Sequence, residues 1–313
     1  MRKALVIGIN DYPTIPLRGC INDATAFGTT IEKNGDGSPN FAVKLETNVT
    51  TKAQLKTMIR ELFEGDSDIA LFYFSGHGFF SDLGGFIVTP DHQQNDEGVS
   101  MDEILTLANK SKAKDKVIIL DCCHSGAFGT PAITGNSSSQ IIEGVVILTA
   151  SRPAESAIEI NGHGIFTNLL IDALQGGAAD LRGHITPGSV YAYIDQALGP
   201  WDQRPVFKTN VTRFTSLRTI SPQVPIEVLR KITEYFSVPE QEYQLDPTYE
   251  FTNKDVAITE NVVMLKNLQK LVSIGLVMPV GEDHMFYVAQ NSKTCKLTAL
   301  GYHYWRLVKE GKI

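Results

Sequence analysis

No apolar run in this chain of 313 residues is long enough to cross a bilayer as a helix. The longest, Ile69 to Phe74, Val117 to Leu120 and Val145 to Leu148, have the length of a β-strand. Cysteine is scarce as well: four residues, Cys20, Cys122, Cys123 and Cys295. Two of them are adjacent in sequence, a spacing that seldom bridges because disulfide geometry demands particular Cα separations and side-chain directions. A reduced, cytoplasmic chain is therefore expected rather than a disulfide framework. Basic charge is not in excess either, since 28 Lys and Arg face 35 Asp and Glu for a net charge of −7. The chain as a whole thus lacks the footprint of a nucleic-acid binder, and its field favours basic partners. The first residues, Met-Arg-Lys-Ala-Leu-Val-Ile-Gly-Ile-Asn, are too short an apolar stretch for a secretory leader and read as a first strand.

What is present is an alternation of short apolar runs with helical periodicity. Strands are expected at Lys3 to Ile9, Phe41 to Glu46, Asp68 to Ser75, Gly85 to Pro90, Lys116 to Asp121 and Gly144 to Ala150. Helices are expected at Asn22 to Lys33, capped by Asn22 or Asp23, and at Thr51 to Phe63 behind a Thr cap. Two more are expected near Ser100 to Asn109 and Phe166 to Leu174. Val/Ile/Leu runs without alternation mean strands covered on both faces, so the fold class is α/β, a sandwich around a mostly parallel sheet. Near Ser221-Pro222 the texture changes, which places a domain boundary near 220: 1–220, then 221–313. In the second part a helix is expected from Val262 to Gly275, then two β runs, Leu276 to Val280 and Met285 to Ala289, and a last helix from Lys296 to Lys309. Helix, wing and helix resemble a small α+β winged-helix domain.

Two segments are hard to explain as packing. Phe74-Ser75-Gly76-His77-Gly78 ends a buried strand in a histidine between glycines, and Leu120-Asp121-Cys122-Cys123-His124-Ser125-Gly126 ends another in an acid, two thiols and small polar residues. Carboxyl ends of strands in an open α/β sheet project into the crevice where such folds bind ligands. Both motifs then face one cleft. A thiol at its ordinary pKa of ~8.5 is only partly ionised at neutral pH, and an imidazole with a pKa near 6.5 can accept its proton and return it to a leaving amine. Gly76 and Gly78 allow close approach of substrate backbone, and Gly126 could aim backbone amides at an oxyanion.

These segments resemble the caspase and metacaspase clan of cysteine peptidases, closest to the bacterial metacaspase-like members. The matching words are Ser75-Gly76-His77-Gly78 and Asp121-Cys122-Cys123-His124-Ser125-Gly126, with His77 placed 46 residues before Cys123 where the clan has about 50. Leu17-Arg18-Gly19-Cys20-Ile21-Asn22-Asp23-Ala24, Thr149-Ala150-Ser151 and Gly164-Ile165-Phe166-Thr167 match as well, and the caspase wording Gln-Ala-Cys-x-Gly is absent. The resemblance covers about residues 1 to 215. It implies a protease with Cys123 as nucleophile, His77 as general base, and Gly78 and Cys123 supplying the oxyanion site, while Cys122 packs in the core.

It also implies that Cys20, Asp23, Ser75 and Asp121 line the pocket for the substrate residue before the scissile bond. Two carboxylates there would pair Arg or Lys and repel Asp. Arg18 is the competing feature, because caspases hold an acidic residue with an arginine from this region. Protein substrates with Arg or Lys at that position are expected. No cofactor is required; some metacaspases carry calcium, and Asp82, Asp91, Asp96 and Asp102 are the acids that could feed such a site, though their spacing is not an EF-type loop.

From His124 to Ser151 there is no Lys or Arg. An enzyme restricted to basic residues cannot cut itself there, so a single-chain enzyme switched by conformation is expected, with the C-terminal domain as sensor or brake. That domain's expected helix carries only Lys266 and Lys270, thin for phosphate contacts. A signal ligand or partner protein suits it better than nucleic acid, and no membrane contact is expected. The rival readings are a non-catalytic signalling scaffold and a transcription regulator acting through residues 222–313.

Overall fold

The chain divides into two compact units, Met1–Ser221 and Pro222–Ile313. The structure, a computed structural model, describes residues 1–81, 84–94, 96–122, 141–150, 159–160, 163–198, 205–212 and 215–313. The expected nucleophile Cys123, its neighbours His124 and Gly126, and Asp82 lie outside the described residues.

Unit 1 begins β1 (Arg2–Gly8), α1 (Cys20–Glu32), β2 (Ala42–Thr47), α2 (Lys52–Phe63) and β3 (Ile69–Ser75). It continues with β4 (Gly78–Ser81), β5 (Gly84–Gln93), β6 (Asp96–Ser100), α3 (Met101–Lys110), β7 (Asp115–Asp121) and β8 (Val145–Thr149). Then follow β9 (Glu159–Ile160), β10 (His163–Gly164), α4 (Ile165–Asp172), β11 (His184–Ile185), α5 (Pro187–Ala197), β12 (Val206–Asn210) and β13 (Arg218–Thr219).

The central sheet has the order β12-β8-β7-β3-β1-β2. All its pairings are parallel except β12 on β8, which closes one edge antiparallel. Side chains alternate across it. Leu5, Ile7, Phe72, Phe74, Ile118 and Leu120 pack with Leu55 and Ile59 of α2 and Ile104 of α3. Val6, Leu71, Tyr73, Val117 and Ile119 pack on the other face with Phe27 and Ile31 of α1, Leu170 of α4 and Val190 and Ile194 of α5. Covering both faces is what the unbroken Val/Ile/Leu runs require. Each fully buried side chain of this size, Phe27 and Ile59 among them, contributes roughly 1.5–3 kcal/mol by leaving water.

The chain leaves β1 toward β2 on one side and reaches β3 on the other, so the strand order reverses at β1. Segments following β1 and β3 both emerge at the carboxyl edge, where open α/β sheets form their crevice.

Local chemistry sets most boundaries. The Thr51 side chain accepts the Gln54 amide at the start of α2, and Ser100 accepts the Asp102 amide at the start of α3. The expected cap of α1 is a correction: α1 starts at Cys20 behind Gly19, with no side-chain cap, and Asp23 is inside its first turn. The run at Gly85 to Pro90 is a strand but not one of the central sheet. It pairs antiparallel with β4 and β6 in a separate three-stranded sheet. Helix α5, with Pro187 at its first position and a Thr186–Ser189 capping box, and strand β12 were not read from the sequence.

Unit 2 contains α6 (Ile226–Arg230), α7 (Ile232–Tyr235), β14 (Glu242–Gln244), α8 (Thr259–Ser273), β15 (Val277–Val280), α9 (Met285–Gln290), β16 (Thr294–Leu297) and α10 (Ala299–Lys309). Its sheet has the antiparallel order β14-β16-β15. The expected strand at Met285 to Ala289 is helix α9. Its buried residues Met285, Val288 and Ala289 fall at helical spacing, while Phe286 and Tyr287 are exposed. The strand pairing with β15 is β16 instead, so the last helix begins at Ala299, capped by the Thr298 side chain. Cys295 is fully buried, and burial pushes its thiol up to about 12. Among the described residues no helix is long and apolar enough to cross a membrane.

Candidate active site

Of the residues selected from the sequence, Cys20, Asp23, Ser75 and Asp121 come together at the carboxyl edge of the sheet. Ser75 ends β3 and Asp121 ends β7, and the two stand opposite each other in the parallel register. Both are buried, at 1% exposure. Cys20 and Asp23 come from the first turn of α1, and both are buried.

The Asp23 carboxylate accepts the Ser75 hydroxyl at 3.4 Å and the Gly164 amide at 3.2 Å on each oxygen. Gly164 is the residue that opens α4. Asp121 Oδ2 accepts the hydroxyl of Thr167, in the first turn of α4, at 2.6 Å. Both acids thus meet the amino end of one helix. Behind them, Tyr73 lies 2.6 Å from Thr167 Oγ1. Burial, then the charges of Asp121 and Asp23, push the Tyr73 phenol well above its ordinary range.

His77 follows β3 and is held by the loop after β1. Its imidazole Nε2 is 2.7 Å from the main-chain oxygen of Ile15. A carbonyl only accepts, so Nε2 carries a proton and Nδ1 is the nitrogen this bond does not engage. The ring also meets Tyr12 edge-on, with centroids 4.5 Å apart. The Tyr12 hydroxyl accepts the His77 amide at 3.0 Å and donates to the Val88 carbonyl at 3.2 Å, and burial pushes its phenol up.

The loop carrying Tyr12 and Ile15 is itself pinned. Leu17 N–H donates to Asn10 C=O, the Asn10 side chain bonds Arg18 C=O and Ile21 N–H, and Asn48 Oδ1 accepts the Asn10 and Asp11 amides. Arg18, the competing specificity residue, is exposed.

Gly78 pairs with Ile87, next to a hydrogen bond from Val88 N–H to His77 C=O. In an antiparallel ladder bonded pairs alternate with unbonded ones. The Gly78 amide therefore points away from β5. Cys122 is fully buried in the cluster of α2 and α3, on the face opposite Asp121 and its partner Thr167.

Of the acids named for calcium, Asp91 and Asp96 are engaged with α2. Both Asp91 oxygens accept the Lys52 amide, and Asp96 pairs with Lys52 Nζ. Among the described residues no three acidic, His or Cys side chains converge as a metal site.

Tyr12, Ile15, Tyr73 and Thr167 were not assigned roles from sequence. Ile15 acts through its backbone and leaves no signal. Tyr73 had one, as the single hydroxyl within the apolar run Ile69 to Phe74.

A family model described as the caspase domain matches residues 1–214. No curated protein matches the chain.

Proposed function

The chain belongs to the caspase-domain family of cysteine peptidases, and on that premise we propose that it is a protein-cutting endopeptidase working through a His77–Cys123 pair, selective for Arg or Lys before the scissile bond. Cysteine-peptidase hydrolysis is the family's chemistry; the residues and the specificity are our reading. His77 Nδ1 takes the Cys123 thiol proton, the sulfur attacks the carbonyl carbon, and backbone amides at Gly78 and Cys123 hold the oxyanion. The carbon–nitrogen bond then breaks and the leaving amine takes the proton from Nδ1. Water hydrolyses the thioester that remains.

The observation that carries the specificity is the pairing of two buried carboxylates, Asp23 and Asp121, within one side-chain network of Ser75, Thr167 and the α4 terminus. In low dielectric a guanidinium or ammonium between them is bound far more strongly than in water. The exposed position of Arg18 favours the same reading over an acid-specific pocket.

We read residues 222–313 as a winged-helix-like module that regulates the peptidase. Helix α8, then the antiparallel pair β15 and β16 with α9 between them, and then α10 support it. On α8 the basic side chain Lys266 lies over Phe251, which leaves little for phosphate. A protein partner or small signal ligand is therefore the proposed occupant of this module.

An irreversible thiol-directed inhibitor carrying Arg before its reactive group tests the proposal. It should label Cys123 in intact chain, seen by peptide mass spectrometry, and fail on His77→Ala. Labelling of Cys20 or Cys122 instead, or preference for an inhibitor carrying Asp, would refute it.

A further inference from the structure

His77 and Val88 face each other where β4 and β5 begin to pair. Val88 N–H donates to His77 C=O at 2.9 Å, which in an antiparallel ladder belongs to a pair that exchanges two bonds. The reciprocal bond is not direct. His77 N–H goes to the Tyr12 hydroxyl at 3.0 Å, and that hydroxyl goes on to the Val88 carbonyl at 3.2 Å. A phenol oxygen is thus inserted into the ladder, and it holds the pair open on the side of the His77 amide.

We propose that Tyr12 is a positioning residue for the general base: its hydroxyl wedges the His77–Val88 pair open where β4 and β5 meet, which keeps the His77 imidazole on the Ile15 carbonyl with Nε2 as the donor. This rests on the assignment of His77 as general base. The donors and acceptors fit one arrangement only. A carbonyl cannot donate, so Tyr12 gives its single proton to Val88 and receives the His77 amide on oxygen. Tyr12 is 4% exposed, and burial pushes its phenol up, so it keeps that proton throughout the working pH range.

A neighbouring residue carries the same constraint independently. A Cβ on Gly76 would lie 2.6 Å from the Tyr12 hydroxyl and 2.7 Å from the Phe74 ring, inside any tolerable contact. The first glycine of Ser75-Gly76-His77-Gly78 therefore leaves room for the wedge. Without the hydroxyl, the His77 amide and the Val88 carbonyl would be unmatched, and the relaxation that restores them is the direct bond. Closing the pair draws His77 toward β5 and off Ile15.

The test is Tyr12→Phe in the full chain, read in two ways. One is kcat and KM on an Arg reporter, per active site titrated with the thiol-directed inhibitor, across pH. The other is the tautomer of His77 from the nitrogen shifts of its imidazole. Misplacement of a catalytic group by about 1 Å costs up to about 100-fold. The expected result is a 10- to 100-fold fall in kcat with KM unchanged, together with loss of the single Nε2–H signal. Gly76→Ala, which displaces the hydroxyl without removing it, should lose that signal too. A retained Nε2–H signal in Tyr12→Phe overturns the proposal whatever the rate does, and so does a lowered melting temperature with unchanged kcat per titrated site. If wild type neither hydrolyses the reporter nor reacts with the inhibitor, the peptidase reading fails while the imidazole signal still decides the wedge.

Discussion

Thr167 donates its hydroxyl proton to Asp121 Oδ2 at 2.6 Å, and because a carboxylate can only accept, Tyr73 must donate to Thr167 Oγ1 across the next 2.6 Å. The direction of the whole buried chain, Tyr73 to Thr167 to Asp121, follows from that one constraint. Thr167→Val keeps the shape and removes the relay, leaving two buried groups short of a partner. It should destabilise unit 1 by about 1–3 kcal/mol, read from the urea midpoint, while Thr167→Ser stays close to wild type. Equal midpoints for Val and Ser variants would show that the relay contributes nothing.

Asp23 and Asp121 differ in what they hold. Asp23 takes the Gly164 amide and the Ser75 hydroxyl, so Asp23→Asn disturbs the entry of α4 as well as the pocket. For either acid, neutralisation should weaken kcat/KM on Arg reporters by about 2–5 kcal/mol, with Lys reporters following. An Asn variant that cleaves Arg reporters at the wild-type rate would remove that residue from the specificity pocket.

Alkaline stability follows from the phenols. Tyr12 and Tyr73 have folded-state pKa values raised by burial above the ordinary value of about 10. Their protonated forms are favoured in the fold, so their contribution is complete below about pH 10 and is lost above it, where the unfolded chain ionises. Melting temperature should therefore fall between about pH 9.5 and 11, and less steeply in Tyr73→Phe. Acid behaves oppositely at Asp68, held down to about 2 by Lys114 and the chain's amino group. Its contribution exists above the ordinary carboxylate pKa of about 3.9 and fades as pH falls toward 2.

The stretch from His124 to Ser151 contains no Lys or Arg, so an enzyme selective for basic residues should remain one polypeptide during turnover. Intact mass measured while an Arg reporter is being hydrolysed checks this. Finding the chain inactive until cut between those residues would contradict both the specificity and the single-chain account. Added calcium, measured in the same assay, decides whether Asp91 and Asp96 can leave Lys52 to bind it.

Much of the architecture was readable because the physics was local. Strands β1, β3, β7 and β8 are covered on both faces and announce themselves as unbroken apolar runs, and Thr51 marks the start of α2 by its own side chain. What stayed hidden depended on distant partners. Asp23 looked like a cap for its own helix, yet it caps the entry of another, 141 residues away. Met285 to Ala289 looked like a strand because of its aromatic and β-branched residues, and only its burial spacing shows a helix. Histidine between glycines is legible as a candidate base, whereas the group that holds its ring, the Ile15 carbonyl, belongs to the backbone and has no sequence signature at all.

The central claim is that His77 and Cys123 cut peptide chains after basic residues, and initial rates on matched reporters ending in Arg, Lys or Asp test it most directly. Arg and Lys reporters should be hydrolysed by wild type, the Asp reporter should not, and Cys123→Ala and His77→Ala should abolish turnover. Faster cleavage of the Asp reporter would contradict the pocket assignment, and undiminished activity in Cys123→Ala would contradict the nucleophile.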